Sequence, residues 1–506
     1  MTLGAHDLQL FAPVLILLGS AAVAVTADLF AEKIERGALP FISLGGTVAA
    51  AISLLSLWGR NEEAFGGALR IDGLAIVMGL AACAATALSV LMSASYVRSA
   101  GVDFGEYYGL MLTAAAGAVI LAQANDLMSV FLGIEIMSIA VYCLTGITRD
   151  REKSTEAAMK YFIMGAFSTG FLLFGIALLY GAVVTTGGAD GILQSPSQSA
   201  LLRLDALARV PANTPLLVAG LALFLVGAAF KIGAVPFHAW TPDAYEGAPA
   251  PVTGFMAGVV KAGVFAVLLR TAMVSFPSPG IDVEPASTWS GALAFVAAAT
   301  MVVGNVCALA QTNLKRLLAY SSIGHSGVIL VGVVVASESQ NPAPAAAVLF
   351  YVLAYVIMTA GSFGLISLLA REGGELENLS QFSGLAARRP AAAAAMTLFM
   401  ASLAGIPPTA GFMGKFLIFR EAINNREFLW LAITGIAASI VSAYYYLKIV
   451  VAMYMRDPEK GEEFPRGDDR WGAILGLALA SIATVALGLC PAKVIDWCTA
   501  AIQSVN

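Results

Sequence analysis

Long apolar runs, each separated from the next by a short polar segment, follow one another from one end of the chain to the other. Each run is close to the roughly 20 residues that an α-helix needs to cross the hydrocarbon core of a bilayer. We therefore predict an all-α polytopic membrane protein with about fourteen transmembrane helices. The predicted spans are 12–31, 39–58, 74–96, 107–123, 127–147, 157–183, 214–235, 250–272, 288–310, 316–336, 345–370, 391–420, 428–454 and 471–490.

Proline interrupts two of these spans. Pro236 ends the seventh run, and Pro407 and Pro408 lie inside the twelfth. Because proline lacks a backbone N–H and its ring clashes with the preceding turn, the seventh and twelfth helices are predicted to be broken. Broken helices are tolerated inside a membrane only where they line protein or water. The last carbonyls before the first break carry partial negative charge, which we expect to lie near Lys231.

A faint internal repeat runs through the chain. The pentapeptide LAQAN at 121–125 precedes the fifth span, and LAQTN at 309–313 precedes the tenth. An offset of five spans turns the second copy upside down relative to the first, as in the inverted repeats of transporters; coincidence over five residues is the alternative. We predict four parts: an N-terminal three-helix segment, two inverted five-helix repeats, and a C-terminal helix with its tail. Their bounds are 1–104, 105–272, 288–455 and 456–506.

Charged residues are sparse, at 12% of the chain, whereas a soluble domain carries about 25%. If the N-terminus is outside, the inner loops hold fifteen basic residues, Lys315 among them, and the outer loops hold eight, Arg270 among them. The positive-inside rule then places both termini on the outer side of the membrane.

Sequence motifs for cofactors and metals are missing from the chain. The five cysteines are scattered, with no C-x-x-C pair, so we expect no zinc or iron–sulfur site. No Walker A loop and no G-x-G-x-x-G between a strand and a helix is found, so no nucleotide site is expected.

Four ionisable residues lie deep within predicted spans, namely Glu135, Lys231, Lys261 and Lys415. A lysine at the bilayer centre costs roughly 2.5–3.5 kcal/mol, so such residues face the protein interior and are candidates for function. The alternative is that they snorkel from helix ends. An unpaired buried carboxylate would be protonated, so Glu135 needs a cation, and Lys231 is the natural partner.

For other ionisable residues, a structural role is as plausible an interpretation as a functional one. Lys160 follows Glu156 by four residues and could pair with it locally. His325 is mid-span among serines and His238 lies at the first break, and each could relay protons or simply be hydrogen-bonded in place. Lys448 lies nearer a helix end among tyrosines, and its participation is left open.

The segments around the two breaks resemble a known family. FKIGAVPFHAWTPDAYEGAPAPVTGFMAGVVKAG at 230–263 and SLAGIPPTAGFMGKF at 402–416 look like signatures of the antiporter-like, Mrp-related membrane subunits of respiratory complex I, the proton-pumping NADH:quinone oxidoreductase. Within this family, FHAWTPDAYEGAPAPVT, YYYLK and NDLMSVFLGIEIMSIAVYCL resemble the N subunits, called subunit 2 in mitochondria. The paralogous L and M subunits usually carry Leu-Pro-Asp where this chain has Thr241-Pro242-Asp243.

This resemblance implies a subunit of an oxidoreductase that translocates protons while other subunits reduce quinone. By matching positions, it implies that Glu135 and Lys231 form a coupled pair, that Lys261 is a mid-membrane relay and that Lys415 lies on the exit side. Lys160 matches a basic position in the sixth span of the family. His325 and His238 complete the expected Glu/Lys/His/water relay.

The resemblance also implies the surroundings of the chain. We expect no cofactor in this chain, with FMN, iron–sulfur clusters and quinone in partner subunits. The expected partners are membrane lipids and other complex I membrane subunits, including the antiporter-like M subunit and small membrane subunits, and no nucleic acid. The expected location is the bacterial inner membrane.

Two other functions stay open at this point. The chain could be a subunit of an Mrp-type cation/proton antiporter, which would not purify with flavin and iron–sulfur subunits. It could also be a passive membrane-arm subunit whose buried charges only fix its packing.

Overall fold

The computed structural model describes residues 4–30, 35–102, 104–185, 202–275, 289–370, 374–457 and 470–505. These ranges form α-helices and one small β-hairpin. The first ten helices are α1 Ala5–Leu10, α2 Ala12–Phe30, α3 Leu39–Ser56, α4 Gly73–Ser99, α5 Gly105–Gln123, α6 Leu127–Thr145, α7 Glu152–Thr185, α8 Leu204–Leu207, α9 Pro215–Ile232 and α10 Trp240–Gly247. The next ten are α11 Ala250–Arg270, α12 Trp289–Leu309, α13 Leu314–Ser337, α14 Ala343–Leu368, α15 Leu385–Arg388, α16 Pro390–Ala404, α17 Ala410–Asn424, α18 Leu429–Met455, α19 Trp471–Leu489 and α20 Ala492–Gln503.

The predicted fold class is confirmed. Thirteen helices in the described ranges are long and apolar enough to cross a membrane, and the one remaining predicted span, the twelfth, is the broken pair α16 and α17. The chain is therefore a multi-span membrane protein. Its predicted span limits agree with the helices to within a few residues, except at α7, which is 34 residues long. A helix of that length extends about 50 Å, so α7 projects beyond the bilayer core.

Both predicted breaks are present, and both begin with a left-handed glycine. Gly233 ends α9 with φ 68°, and Gly405 ends α16 with φ 88°. A side chain is disfavoured at such φ values, so glycine stops each half-helix and Pro236 or Pro408 keeps it from resuming. The seventh span is thus α9 followed by α10, and the twelfth is α16 followed by α17.

Several short elements were not predicted, among them a β-hairpin and the helix α8. The strands β1 Glu62–Ala64 and β2 Leu69–Ile71 form an antiparallel hairpin between α3 and α4, with Glu62 opposite Ile71. The short helix α8 lies in the segment 184–213 between the sixth and seventh predicted spans; residues 186–201 of that segment lie outside the described ranges.

Helix α11 lies at the centre of the bundle, and all of its residues are buried. It packs against α4, α5, α13 and α14. Glycines bring other helix pairs into backbone contact. A Cβ on Gly304 of α12 would lie 2.6 Å from the Gly324 nitrogen of α13, and one on Gly175 of α7 would lie 2.7 Å from the Phe224 nitrogen of α9. Small residues allow such close packing of membrane helices.

Candidate functional site

Lys231 lies in the last turn of α9 and is buried, with 3% of its surface exposed. Its Nζ donates hydrogen bonds to Ser138 Oγ and Tyr142 OH of α6, each at 2.8 Å. Glu135 lies three residues before Ser138 on α6 and accepts a hydrogen bond from Thr169 Oγ1 at 2.9 Å. The expected direct contact between Lys231 and Glu135 is not formed, because the lysine binds the hydroxyls that follow Glu135 on the same face of α6.

Lys231 lies at the end of α9, and the carbonyls there accept hydrogen bonds from other side chains. Ser326 Oγ donates to the Ile232 carbonyl at 2.7 Å, and Trp240 Nε1 donates to the Phe230 carbonyl at 2.9 Å. These two side chains, from α13 and α10, thus donate to carbonyls in the last turn of α9, and the Phe230 carbonyl also accepts from the Gly233 nitrogen at 3.0 Å. The ammonium of Lys231 is consequently held by hydroxyls alone among its hydrogen-bond partners in the described ranges.

Lys261 lies in the middle of α11, with 3% of its surface exposed. Its Nζ donates to the Ser322 carbonyl at 2.5 Å and to Ser322 Oγ at 2.7 Å. Tyr355 OH of α14 is 3.2 Å from the same Nζ, which also lies 4.3 Å from the Tyr355 ring centre. Tyr355 OH donates to Ser322 Oγ at 2.8 Å, and Tyr245 OH lies 3.2 Å from that oxygen. Ser322 therefore joins one lysine and two tyrosines.

His325 follows Ser322 by three residues on α13, so the two face the same way. Its Nδ1 is 2.6 Å from Tyr351 OH, and its Nε2 is 3.0 Å from Tyr446 OH. Tyr446 OH also hydrogen-bonds Ser321 Oγ. The imidazole is buried and bound on both nitrogens, so it can accept a proton on one side and release one on the other.

Lys415 lies in α17 and reaches back across the second break. Its Nζ donates to the Leu403 carbonyl at 2.9 Å and to the Ala404 carbonyl at 3.1 Å. These are the last carbonyls of α16, the negative end of that half-helix dipole. A Cβ on Gly405 would lie 3.1 Å from Lys415 Cδ, so glycine also leaves room for the lysine. At the second break, the lysine thus binds the carbonyl end of the half-helix directly.

A small cavity lies between Lys415 and His325. It is lined by both residues together with Asn305, Ser321 and Tyr445, and measures about 10 Å³ when counted as space open to the centre of a water molecule. A cavity of roughly this size holds about one water molecule, provided that polar groups surround it. The lysine and the histidine therefore share one polar space.

Lys160 is not in the interior. It is 47% exposed, and its Nζ pairs with Glu156 at 2.7 Å and with Asp243 at 2.9 Å. The local pair with Glu156 matches the alternative that the spacing of four residues offered. Lys160 belongs to a cluster of charges at one end of the bundle, which we call the surface ion network. Its members are Arg151, Lys153, Glu156, Lys160, Asp243, Glu246, Arg316 and Glu377.

The surface ion network joins α7 and α10 to the start of α13. Arg316 Nη1 lies 2.6 Å from Asp243 and 2.9 Å from Glu246. Lys153 Nζ bridges Glu246 at 3.0 Å and Glu377 at 2.9 Å. Asp243 and Glu246 therefore connect α10 to neighbouring elements through arginine and lysine partners.

His238 and Lys448 stand apart from this line of buried groups. His238 is half-buried between α9 and α10, and no hydrogen bond in the described ranges joins it to Lys231 or Lys261. Lys448 Nζ lies 3.4 Å from the Gln311 carbonyl, a long contact on a half-buried side chain.

Two buried ion pairs were missed by the sequence analysis. Arg270, which we counted in an outer loop, lies fully buried in the last turn of α11 and pairs with Asp72 at 2.6 Å. Lys315, which we counted in an inner loop, lies fully buried in the first turn of α13 and pairs with Glu375 at 2.6 Å. An arginine or lysine at the edge of an apolar run is ordinarily taken to reach the membrane surface. The signal for Asp72 was its place directly before an apolar run, which is typical of an N-cap.

Glu375 lies in the segment between α14 and α15, outside the spans. Burial by itself would raise the pKa of its carboxyl, but the Lys315 ammonium and hydrogen bonds from Lys315, Tyr96 and the Ala250 nitrogen hold this pKa below its ordinary value. The carboxylate therefore stays charged at neutral pH despite its burial.

No group of three or more His, Cys, Asp or Glu side chains that could hold a metal ion occurs among the residues that the structure describes. The five cysteines are unpaired. The buried polar groups that are brought together are lysines, hydroxyls and one imidazole, which exchange protons and bind metal ions poorly when protonated.

Known proteins are similar to this chain in sequence and in fold. The sequence profile of the NADH:quinone oxidoreductase/Mrp antiporter membrane family matches residues 124–442. NADH-quinone oxidoreductase subunit N of Chloroflexus aggregans is 41% identical over 98% of this chain and 97% of its own length. A chain of respiratory complex I from Thermus thermophilus is 35% identical, with a TM-score of 0.77, over 96% of this chain and 98% of that one. A chain of the Mrp complex from Dietzia sp. DQ12-45-1b shares the fold, with a TM-score of 0.76 and 22% identity over 99% of this chain and 100% of that one.

These likenesses define an antiporter-like membrane subunit. The chain belongs to the membrane-subunit family shared by NADH:quinone oxidoreductases and Mrp antiporters, and within that family the predicted resemblance to the N subunits of complex I is confirmed.

Proposed function

We propose that this chain translocates protons as a membrane-arm subunit of NADH:quinone oxidoreductase. The supporting observation is a series of buried proton-exchanging groups across the bundle, from Lys231 through Lys261 and His325 to Lys415. Quinone reduction in other subunits would supply the free energy, and FMN, iron–sulfur clusters and quinone would be bound there.

The contacts favour a relay with two parts, one from Lys261 to His325 and the other from His325 to Lys415. Lys261 and His325 are linked through Ser322, which binds the lysine, and through the turn of α13 that carries both Ser322 and His325. His325 and Lys415 share the small polar cavity. Hydroxyl and imidazole groups can pass a proton because each can accept one hydrogen bond and donate another. The hydrogen bonds of His325 go to Tyr351 and Tyr446 rather than to Ser322, so transfer between Ser322 and His325 requires movement or water.

Lys231 connects to Lys261 through α13. Ser326 Oγ donates to the Ile232 carbonyl at 2.7 Å and lies 3.1 Å from the Ser322 carbonyl, which accepts from Lys261 Nζ. Because these contacts include carbonyls, which carry no proton, transfer between the two lysines requires movement or water. A rearrangement at Glu135 that freed or captured Lys231 would change its proton affinity, since a nearby carboxylate favours the ammonium.

Lys160 and His238 lie outside the proposed line of buried proton-exchanging groups. The exposed pairing of Lys160 with Asp243 favours a role in the surface ion network, at the side where protons would enter. His238 would act only if the linker between α9 and α10 turned it toward Lys231.

The proposed setting follows the relatives. The N subunit from Chloroflexus aggregans and the complex I chain from Thermus thermophilus match over nearly their full lengths. The chain would therefore lie in a bacterial inner membrane with both termini on the outer side, next to an antiporter-like M subunit and small membrane subunits. An Mrp-type antiporter is the second candidate, but the Mrp likeness at 22% identity supports the fold alone.

The test is Lys231→Met in the intact assembly, with NADH oxidation and proton pumping measured together. We expect assembled enzyme whose proton pumping falls at least tenfold, because methionine keeps the length of the side chain and removes its proton-binding nitrogen. Lys448→Met is the matched control, since Lys448 is a lysine within a span whose one hydrogen bond in the described part of the chain is a long contact with the Gln311 carbonyl.

Pumping at the native ratio in Lys231→Met would refute this relay. Loss of assembly in Lys231→Met, with a native ratio in what does assemble, would favour the passive structural role. Purification of the chain without flavin and iron–sulfur subunits would instead favour the Mrp alternative.

A further inference from the structure

Helix α11 carries Lys261 near its middle and has a buried ion pair at each end. Ala250 begins the helix and Arg270 ends it, a distance of about 30 Å at 1.5 Å per residue. The end at Ala250 is called the first end below, and the end at Arg270 the last end. The proposed relay uses neither pair.

At the last end, Arg270 binds two neighbouring helices. Its guanidinium lies against both carboxylate oxygens of Asp72, at 2.6 and 3.0 Å, and donates to the Ala122 carbonyl at 3.1 Å. Asp72 also accepts from the Ala75 nitrogen at 2.9 Å and so caps α4. One guanidinium therefore connects the end of α11 to the start of α4 and the end of α5.

At the first end, Glu375 has the corresponding role. Its Oε1 accepts from the Ala250 nitrogen at 2.6 Å, and its Oε2 binds Lys315 Nζ at 2.6 Å. Lys315 Nζ also donates to the Ala248 carbonyl at 2.5 Å. One carboxylate therefore connects the start of α11 to the start of α13, the helix that carries Ser322.

Sliding or rotation of α11 would break these contacts. A bidentate arginine–carboxylate pair has a fixed geometry, and a shift by one residue turns a helix by about 100° and moves it by about 1.5 Å. Lys261 Nζ lies 2.5 and 2.7 Å from the two Ser322 oxygens, so a displacement of that size would separate them. Between the two ends, a Cβ on Gly258 would lie only 3.0 Å from Ala85 Cβ of α4, which leaves little room for movement.

Stability alone does not account for such pairs, because apolar residues of similar volume are often as stabilising as a buried ion pair. We propose that Asp72–Arg270 and Lys315–Glu375 are positioning residues, which hold α11 at the depth and rotation that keep Lys261 on Ser322. This inference rests on the proposed relay through Lys261.

The test is Arg270→Lys in the intact assembly. Lysine keeps the charge, so the subunit should still fold, but it cannot bind both Asp72 oxygens as a planar fork. We expect the number of protons pumped per NADH oxidised to fall at least twofold, while the amount of assembled complex stays near native. Arg420→Lys is the matched control, because Arg420 also pairs with a carboxylate at 2.6 Å but is 46% exposed.

Asp72→Glu provides a second measurement if Arg270→Lys assembles poorly. It keeps both charges and lengthens one side chain, so the same loss of pumping is expected. A native proton-to-NADH ratio in either assembled variant would overturn the positioning role, and a reduced yield with a native ratio would show that the pair acts in assembly only.

Lys261→Met, assayed alongside, separates this inference from the relay itself. If Lys261→Met pumps at the native ratio, the relay through Lys261 fails. If Lys261→Met loses pumping while Arg270→Lys and Asp72→Glu do not, the relay stands and only the positioning role fails.

Discussion

Ser322 is the single side chain on which the proposed relay depends most directly. Its Oγ accepts from Lys261 Nζ at 2.7 Å and from Tyr355 OH at 2.8 Å. Ser322→Ala removes this oxygen but leaves the Ser322 carbonyl, which still accepts from the lysine. Lys261 therefore loses one of its acceptors without losing its place in the bundle.

The size of the effect follows from that one contact. A hydrogen bond to a charged group contributes about 1.5–3 kcal/mol, and about 1.4 kcal/mol corresponds to a tenfold change in rate. If proton transfer through Lys261 limits turnover, Ser322→Ala should reduce coupled proton pumping about 10- to 100-fold. Removing one buried hydroxyl from a close-packed site should leave assembly largely intact.

The assay uses the purified complex in liposomes, with NADH oxidation and internal acidification followed together. Ser337→Ala is the matched control: Ser337 is buried on the same helix, but among the described residues its Oγ donates to the Val334 carbonyl of that helix alone. If Ser322→Ala pumps as well as Ser337→Ala, transfer does not depend on this hydroxyl, and the path drawn here between Lys261 and His325 is wrong.

Two further outcomes are expected. Because the folded-state pKa of Glu375 lies below its ordinary value, its carboxylate stabilises the protein fully above the ordinary pKa, and this stabilisation is lost as pH falls through the lower folded value. The thermal stability deficit of Glu375→Gln should therefore be largest near neutral pH and shrink below about pH 4; a deficit independent of pH would contradict the ionic role. Gly304→Leu should lower the free energy of unfolding by about 1–3 kcal/mol, because its Cβ would meet the Gly324 backbone. The yield of assembled complex should fall as a result. Gly170→Leu, with open space at its Cβ, is the control, and equal yields of the two variants would show that the α12–α13 contact tolerates a larger residue.

Much of the architecture could be predicted from the chain alone. An apolar run of about 20 residues has few alternatives to a membrane helix, because backbone groups in lipid must be satisfied within the segment. Pro236 and Pro408 likewise impose breaks wherever the neighbouring helices lie. Lys261 could be singled out because it lies at the middle of its predicted span, and Lys231 and Lys415 because each lies beside a predicted break.

Partners of these lysines could not be predicted. Ser138 and Tyr142, rather than Glu135, bind Lys231, and helix carbonyls bind Lys415 rather than Lys231. Hydropathy states which residues avoid lipid, but it contains no information about which of several polar groups on neighbouring helices comes within 3 Å. That choice depends on helix rotation, which close contacts such as Gly304 against Gly324 determine.

The linear chain by itself determined the number of spans, the two breaks and the presence of ionisable groups in the membrane, because each of these follows from local composition and backbone chemistry. Only the tertiary structure decided that Arg270 and Lys315 are buried ion partners and that Lys160 is a surface residue. At the edge of an apolar run, a charged side chain can reach either water or a partner on another helix. Which one it reaches depends on residues far away in sequence, here Asp72, Glu375 and Asp243.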